Sequence, residues 1–219
     1  MHVDKYPLRG LEAEARPVAV PVVIGVNWYA EFDVPVKDRS GAYWIARDAR
    51  LTRVRGGHCV ALEPAPATGI RDNRAWWGFY DQGSEGACVG FGISRAMSLL
   101  NRRRYDARWL YQAAQKVDGW PGESYSGTSV RAGMDVLRTV GHRVVRDGAV
   151  PAVGEGIAAN RWATSISDVL AALGDPNKDF VTILNSWGKG GYPHRVRMPA
   201  SVLDRLLREN GEIAIVTDR

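Results

Sequence analysis

Strand-like segments lie near both ends of this chain, and helix-like segments fill its centre. Residues 22–28 form a run rich in β-branched side chains, which is typical of a buried strand, and residues 180–184 and 213–216 have the same character. From residue 87 to residue 101 the apolar residues instead recur at helical spacing. This pattern predicts an α+β protein whose terminal segments form one sheet and whose centre forms a helical lobe.

Shorter segments extend this prediction. Strands are expected at 43–46 and 58–62, and helices at about 107–117, 129–140, 167–173 and 200–209. Thr128 or Ser129 is the expected cap of the second of these helices. A proline-rich connector at 64–73 predicts a domain boundary or a long surface loop.

Composition excludes several classes of protein. The chain has 219 residues and two cysteines, too few for a disulfide framework or a four-cysteine metal site. Its 29 basic and 24 acidic residues give a net charge of +5, which falls short of a nucleic-acid binder. Without a long apolar run or a secretion signal, we expect a cytoplasmic protein with no membrane span, no metal and no cofactor. The oligomeric state is left open.

The segment 81–92, DQGSEGACVGFG, places a cysteine at the start of a helix after a glycine-rich turn. Unpaired N–H groups at a helix start stabilise negative charge, so they favour the thiolate of Cys88 as a nucleophile. The backbone N–H of Cys88 and the amide of Gln82 are the two donors that an acyl-transfer oxyanion needs. Gly83 and Gly86 would let the turn approach a substrate closely. The alternative is that Cys88 is a small apolar residue packed at a helix start.

Three motifs resemble those of papain-like cysteine peptidases of bacterial or phage type. In that family a glutamine precedes the nucleophilic cysteine by six positions, as Gln82 precedes Cys88. Asn185-Ser186-Trp187-Gly188 resembles the family's Asn-Ser-Trp-Gly, and His58 in RGGHCVAL resembles the histidine that opens a barrel strand. The segment 126–129, Ser-Gly-Thr-Ser, is similar to the glycine-containing substrate segment of bacterial relatives.

The resemblance implies a thiol peptidase that hydrolyses peptide or protein substrates through a thioester. The implied roles are nucleophile for Cys88, general base and then acid for His58, orientation of the histidine for Asn185, oxyanion donor for Gln82, shielding for Trp187 and substrate binding for Gly127. It also implies a single two-lobed papain-like domain over 1–219. The helical lobe would span about 81–150, and an antiparallel β-barrel lobe would combine about 21–80 with 151–219.

The order of the motifs differs from the family, in which cysteine precedes histidine and asparagine. Here the order is His58, Cys88, Asn185, and a circular permutation cannot produce it because a single cut preserves cyclic order. Transposition of a block of roughly 40 residues, about 21–60, would produce it. We expect this block to fill its usual place before the strand at 180–184, because pairing and burial decide position in a fold.

Other residues offer alternatives. His142 and His194 are possible replacement bases, although each is expected at a surface or a helix end. Cys59 follows His58 in a strand, so its side chain should point away from the site into the core. The basic cluster at 101–104 with Arg108 is typical of a solvated helix end, yet it could contact phosphate. An inactive papain-fold binding protein and a basic, nucleic-acid-associated structural protein therefore remain alternatives.

Overall fold

The computed structural model describes residues 19–47, 50–65, 80–120, 125–146, 152–188 and 193–218. These residues form a mixed α+β structure, as the sequence predicts, and most of the connector at 64–73 lies outside them. The strands are β1 (Val22–Tyr29), β2 (Val36–Lys37), β3 (Tyr43–Trp44), β4 (Val54–Leu62), β5 (His142–Val144), β6 (Ala152–Glu155), β7 (Ala159–Trp162), β8 (Phe180–Leu184), β9 (Arg195–Pro199) and β10 (Glu212–Asp218). The helices are a 3₁₀ helix (Ala30–Asp33), α1 (Cys88–Asn101), α2 (Ala107–Gln115), α3 (Val130–Thr139), α4 (Ile166–Ala172) and α5 (Ala200–Arg208).

Segments from both ends of the chain form one sheet. Within the described residues it has eight strands in the order β2-β3-β9-β8-β4-β1-β10-β7, and β5 and β6 form a separate ribbon. β1 pairs with β4 on one side and with β10 on the other. The pairing of β3 with β9 is parallel, so the sheet is mixed rather than wholly antiparallel as expected.

Two hydrophobic cores lie on opposite faces of this sheet, because consecutive strand residues point to opposite sides. In β1, Val22 and Ile24 pack in the core that includes α4 and α5, whereas Val23 packs in the core that includes α1, α2 and α3. β4 divides in the same way, with Val60 in the first core and Cys59 in the second. The helix that begins at the candidate nucleophile therefore packs against the strand that carries the candidate base.

The helices begin close to their predicted positions, and side-chain caps fix the starts of α3 and α4, although no side chain caps α1. α1 begins at Cys88, as predicted, and α3 is capped by the hydroxyl of Ser129, which accepts a hydrogen bond from the backbone of Ala132. α4 begins with a capping box formed by Ser165 and Asp168. Within the parts of the chain described above, no helix combines the length and apolar character needed to cross a membrane.

Several strands are absent from the sequence prediction. β2, β5, β6, β7 and β9 are short or carry charged residues, so their sequences lack the apolar pattern of a buried strand. β4 also begins four residues earlier than predicted, at Val54, and its residues 54–57 are exposed. Backbone pairing with β1 extends β4 there. The β5–β6 ribbon spans the lobe boundary that the sequence suggests at residue 150.

Candidate functional site

Cys88 is the first residue of α1 and is a half-buried free thiol. Burial raises the pKa of its thiol, because a thiolate is poorly solvated there. The backbone N–H groups of Cys59, Val89 and Cys88 itself lower the pKa and so oppose this effect. The helix start thus supplies the anion-stabilising donors that the sequence predicts, although burial remains the larger influence.

His58 lies where β8 separates from β4. The two strands pair only at Ala61 and Leu62 of β4, and the chain leaves β8 at Asn185. The Nε2 atom of His58 lies 3.4 Å from Oδ1 of Asn185. Because this oxygen can only accept, the neutral ring donates from Nε2 and leaves Nδ1 as the acceptor for a proton.

The helix that begins at Cys88 packs closely on β4 beside His58, since a β-carbon at Gly92 would lie 2.9 Å from Sγ of Cys59. The backbone N–H of Cys59 lowers the pKa of the Cys88 thiol. Within the described ranges, no direct hydrogen bond joins this thiol to the His58 ring. Desolvation lowers the pKa of His58 to about 4, against the opposing effects of Asn185 and Asp33. Burial therefore favours an uncharged thiol and an uncharged imidazole in the resting site.

Asn185 is buried and is fixed by its neighbours. Its side-chain Oδ1 also accepts a hydrogen bond of 2.8 Å from the backbone N–H of Ser186. Its own backbone N–H donates to the carbonyl of His194 at 2.9 Å, and its carbonyl lies 2.9 Å from Nδ1 of the same histidine. His194 thus contacts the backbone of Asn185 on both its N–H and its carbonyl. This support depends on the β8–β9 hairpin, which places the two residues opposite each other.

The turn that carries Gln82 is hydrogen-bonded to the Asn185-Ser186-Trp187-Gly188 segment. The backbone N–H of Gln82 donates to the carbonyl of Ser186 at 2.9 Å, and that of Gly188 donates to Tyr80 at 3.2 Å. The Gln82 side chain is 8% exposed, and its Nε2 donates to the carbonyl of Glu85 at 3.2 Å. Its Oε1 is buried and has no hydrogen-bond partner among the described residues. Two distant motifs therefore form one local structure.

The predicted substrate segment lies beside the same turn. A β-carbon at Gly86 would overlap Oγ of Ser126 and would lie 3.1 Å from the backbone nitrogen of Gly127. Gly127 has a φ of +114°, a conformation that favours glycine. Gly86 is therefore needed for contact between two protein segments, whereas its place in a glycine-rich turn predicts contact with a substrate.

Two indole rings contact the imidazole of His58. Trp187 is half-buried and lies nearly parallel to the imidazole, with ring centroids 5.5 Å apart. Trp28, in β1, contacts the imidazole edge-on at 4.6 Å. This contact follows from the pairing of β1 with β4, which brings Trp28 near His58 and which the sequence alone does not indicate.

His142 is wrongly predicted at a surface or a helix end. It lies in β5 and is fully buried, with Nε2 2.8 Å from the hydroxyl of Ser94. Its Nδ1 accepts a hydrogen bond from the backbone N–H of Arg143. Burial lowers its pKa to about 3. His142 is a core residue of the helical part of the chain and is separate from the candidate site.

The basic cluster at 101–104 lies at the opposite end of α1 from Cys88. Arg103 pairs with Glu155, and Arg108 pairs with Glu85 at 3.1 Å, so part of the positive charge is neutralised. In the described stretches of the chain, no group of three or more metal-ligating side chains occurs. These observations leave the region around Cys88 and His58 as the principal candidate site.

Comparison of the chain with protein-family models, with curated proteins and with solved structures found no match. The functional proposal therefore depends on the residues themselves and on their geometry.

Proposed function

We propose that the chain is a cysteine-type peptidase of papain-like fold that hydrolyses peptide bonds. One observation carries the proposal: Nε2 of His58 lies 3.4 Å from the side-chain oxygen of Asn185, and His58 is on the strand against which the helix that begins at Cys88 packs. Three residues that are far apart in the sequence thereby form one local arrangement. If Cys88 only filled space in the core, it would not need a nearby histidine whose ring contacts an asparagine.

The proposed reaction uses an uncharged resting pair. Nδ1 of His58 takes the proton of the Cys88 thiol, and the resulting thiolate attacks the carbonyl carbon of the substrate. The imidazolium then donates its proton to the leaving amine, and a water molecule hydrolyses the thioester. Because the proton moves within the pair, the site keeps its net charge although burial disfavours each ion separately. Substrate binding would bring the Cys88 thiol and Nδ1 of His58 into hydrogen-bond contact, since catalytic hydrogen bonds are often long in unliganded enzymes.

The oxyanion of the tetrahedral intermediate would lie between the backbone N–H of Cys88 and the amide of Gln82. The hydrogen bond from Gln82 to Glu85 uses one N–H of that amide and leaves the second for the oxyanion. Removal of one such donor commonly lowers the rate by a hundredfold or more. We assign substrate binding to Gly127 and shielding of His58 to Trp187, which lie beside this turn and this ring respectively.

The sheet order supports transposition of the histidine-bearing block within a two-lobed papain-like fold. β4 pairs with β1 on one side and with β8 on the other, although β8 begins more than 100 residues after β4 ends. This is the neighbourhood that the transposed block would occupy. We propose a helical lobe built on α1, α2 and α3 and a barrel-like lobe built on the large sheet. Because both cysteines are free thiols, we propose a reducing, cytoplasmic setting.

A covalent epoxysuccinyl probe tests the proposal, with mass spectrometry to locate the modified residue. We expect labelling of Cys88 in the folded protein and loss of that labelling in His58→Ala. Cys59→Ala is the matched control, because it removes the other cysteine while leaving the proposed nucleophile, and it should label like the unmodified chain. A fluorogenic peptide mixture should be hydrolysed by the control but not by Cys88→Ala.

Three outcomes would count against the proposal. Labelling that equals the denatured background would favour an inactive papain-fold binding protein. Labelling that persists in His58→Ala would show a reactive thiol without its proposed base. A gel shift with short DNA that weakens with salt would instead favour the nucleic-acid alternative.

A further inference from the structure

The imidazole of His58 lies against two indole rings, of which the peptidase resemblance accounts only for Trp187. The second, Trp28, is 5% exposed, and its ring meets the imidazole at 74° with centroids 4.6 Å apart. It also meets Trp187 edge-on at 5.5 Å. Trp28 therefore contacts both the proposed base and the residue that shields it.

The indole of Trp28 is itself held by a carboxylate. Its Nε1 donates to Oδ1 of Asp33 at 2.9 Å, and Oδ2 of Asp33 pairs with Nη1 of Arg55 at 2.5 Å. Asp33 ends the 3₁₀ helix that follows β1, so the chain turns back to reach the indole. Arg55 lies three residues before His58 in β4. The contacts therefore run from Arg55 through Asp33 and Trp28 to the imidazole.

Among the described residues, Asp33 is the charged group whose field raises the pKa of His58, against the larger lowering by burial. The groups that contact the ring are the neutral amide of Asn185 and the two indoles. The Cys88 thiol, whose pKa the backbone N–H of Cys59 lowers against the larger effect of burial, is uncharged at rest. Arg55 pairs with Asp33, and its side chain is 55% exposed whereas that of Asp33 is 26% exposed. Solvent therefore screens the positive charge of Arg55 more than the negative charge of Asp33.

We propose that Asp33 is a positioning residue for His58 and that Asp33 acts through the indole of Trp28. The hydrogen bond fixes the plane of the indole, and the indole in turn fixes the imidazole. The negative charge behind the ring favours the imidazolium that forms when the thiol gives up its proton. This inference rests on the proposed peptidase function for its catalytic meaning, but the effect on His58 is measurable without catalysis.

The first test is a nuclear magnetic resonance titration of His58 in the Cys88→Ala background, which removes the titration of the thiol. We expect Asp33→Asn to lower the pKa of His58 by about half a pH unit, since the charge does not touch the ring directly. The matched control is Asp38→Asn. Asp38 accepts a hydrogen bond of 2.7 Å from Nε1 of Trp44 and lies 4.0 Å from Arg47, so it repeats the arrangement without contact to His58.

A shift in Asp33→Asn that the control lacks would support the inference, and equal titration of the two variants would overturn it. Trp28→Phe provides a second variant if Asp33→Asn does not fold. It keeps a ring against the imidazole but removes the N–H that holds Asp33. It should lower the pKa in the same direction, and an unchanged pKa would overturn the proposed role of the indole. Asp33→Glu keeps the negative charge, so the pKa of His58 in this variant should lie between its values in the unmodified chain and in Asp33→Asn.

The second test is the pH profile of Cys88 alkylation by iodoacetamide. Because Asp33 stabilises the imidazolium, Asp33→Asn should move the acidic limb, on which His58 loses its proton, to lower pH and reduce the plateau rate about two- to fivefold. If alkylation of the unmodified chain depends on His58 but the pH profile of Asp33→Asn is unchanged, the inference is overturned and the peptidase proposal stays intact. If alkylation of the unmodified chain does not depend on His58, the peptidase proposal fails, and the titration still decides whether Asp33 acts on His58.

Discussion

Gly92 of α1 lies directly against the thiol of Cys59 in β4. A β-carbon at Gly92 would be 2.9 Å from Sγ of Cys59 and 3.2 Å from its carbonyl carbon and oxygen. Gly92 is one helical turn beyond Cys88, so its close approach sets how near the start of α1 can come to the backbone beside His58. The contact between helix and strand is thus part of the geometry of the candidate site.

Gly92→Ala should move α1 away from β4 and destabilise the fold by about 1–3 kcal/mol, since overpacking in a core costs that much. The rate of Cys88 labelling should fall as well. Gly154→Ala is the control, because a β-carbon there would contact nothing within 4 Å. Denaturant unfolding and probe labelling of the two variants measure both effects. Equal stability and equal labelling would show that the helix tolerates the larger residue.

Asn185→Ala should lower the rate of Cys88 labelling by about tenfold or more, because the His58 ring loses the acceptor that fixes its orientation. Asn101→Ala is the matched control. It removes an amide that donates to the hydroxyl of Tyr105 at 2.8 Å, at the opposite end of the helix that begins at Cys88. A control variant that slows labelling as much as Asn185→Ala would indicate a general loss of structure instead.

Stability should fall in acid because two histidines are buried without charge. Their ordinary pKa is about 6.5, and burial lowers it to about 4 for His58 and about 3 for His142. As the pH falls, these histidines therefore bind protons at a higher pH in the unfolded chain than in the folded chain. The free energy of unfolding should be intact above pH 6.5 and should decrease as the pH falls towards 4 and then 3, by about 1.4 kcal/mol per pH unit for each histidine.

His142→Gln should reduce this pH dependence by about one proton, because glutamine does not titrate. Urea unfolding at several pH values between 6.5 and 4 measures the slope. The comparison concerns the slope alone, since loss of the contact with Ser94 will change stability at neutral pH too. An unchanged slope would mean that His142 is protonated in the folded state in this range.

Arg195→Met should destabilise the fold by about 2–4 kcal/mol, because Glu63 is buried and loses a charged partner. The Glu63 side chain is 4% exposed, and its Oε2 accepts hydrogen bonds of 2.6 and 2.9 Å from this arginine. Arg208→Met is the control. Its partner, Asp204, lies 2.5 Å away, but the arginine is 69% exposed, so the loss should stay below about 1 kcal/mol. Similar losses in both variants, measured by denaturant unfolding, would contradict the assigned difference.

The sequence predicts most of the helices because helix formation depends on neighbouring residues. α1 begins at Cys88 without a side-chain cap, after a glycine-rich turn. Ser129 caps α3, since a hydroxyl satisfies backbone N–H groups within its own first turn. The strand β8 is also predicted with its observed limits, because its apolar run is buried. The motifs around Cys88 and Asn185 are visible for the same reason, as each lies within a short continuous segment.

Short strands could not be predicted from the sequence, because a partner strand and not their own residues makes them strands. β9 carries charged residues and pairs along its length with β8, which places His194 opposite Asn185. In the same way β4 extends to Val54 through pairing with β1. The support behind Asn185 and the contact of Trp28 with His58 both follow from these pairings.

The sequence by itself determined which side chains are candidates for chemical function and that a helix starts at Cys88, because these properties reside in single residues and in local backbone geometry. Only the tertiary structure decided that β4 lies between β1 and β8, and so that His58 meets Asn185 and that α1 packs on Cys59. It also decided that His142 is buried and that Asp33 reaches the indole beside His58. Strand pairing and burial act between segments far apart in the chain, and local sequence does not specify them.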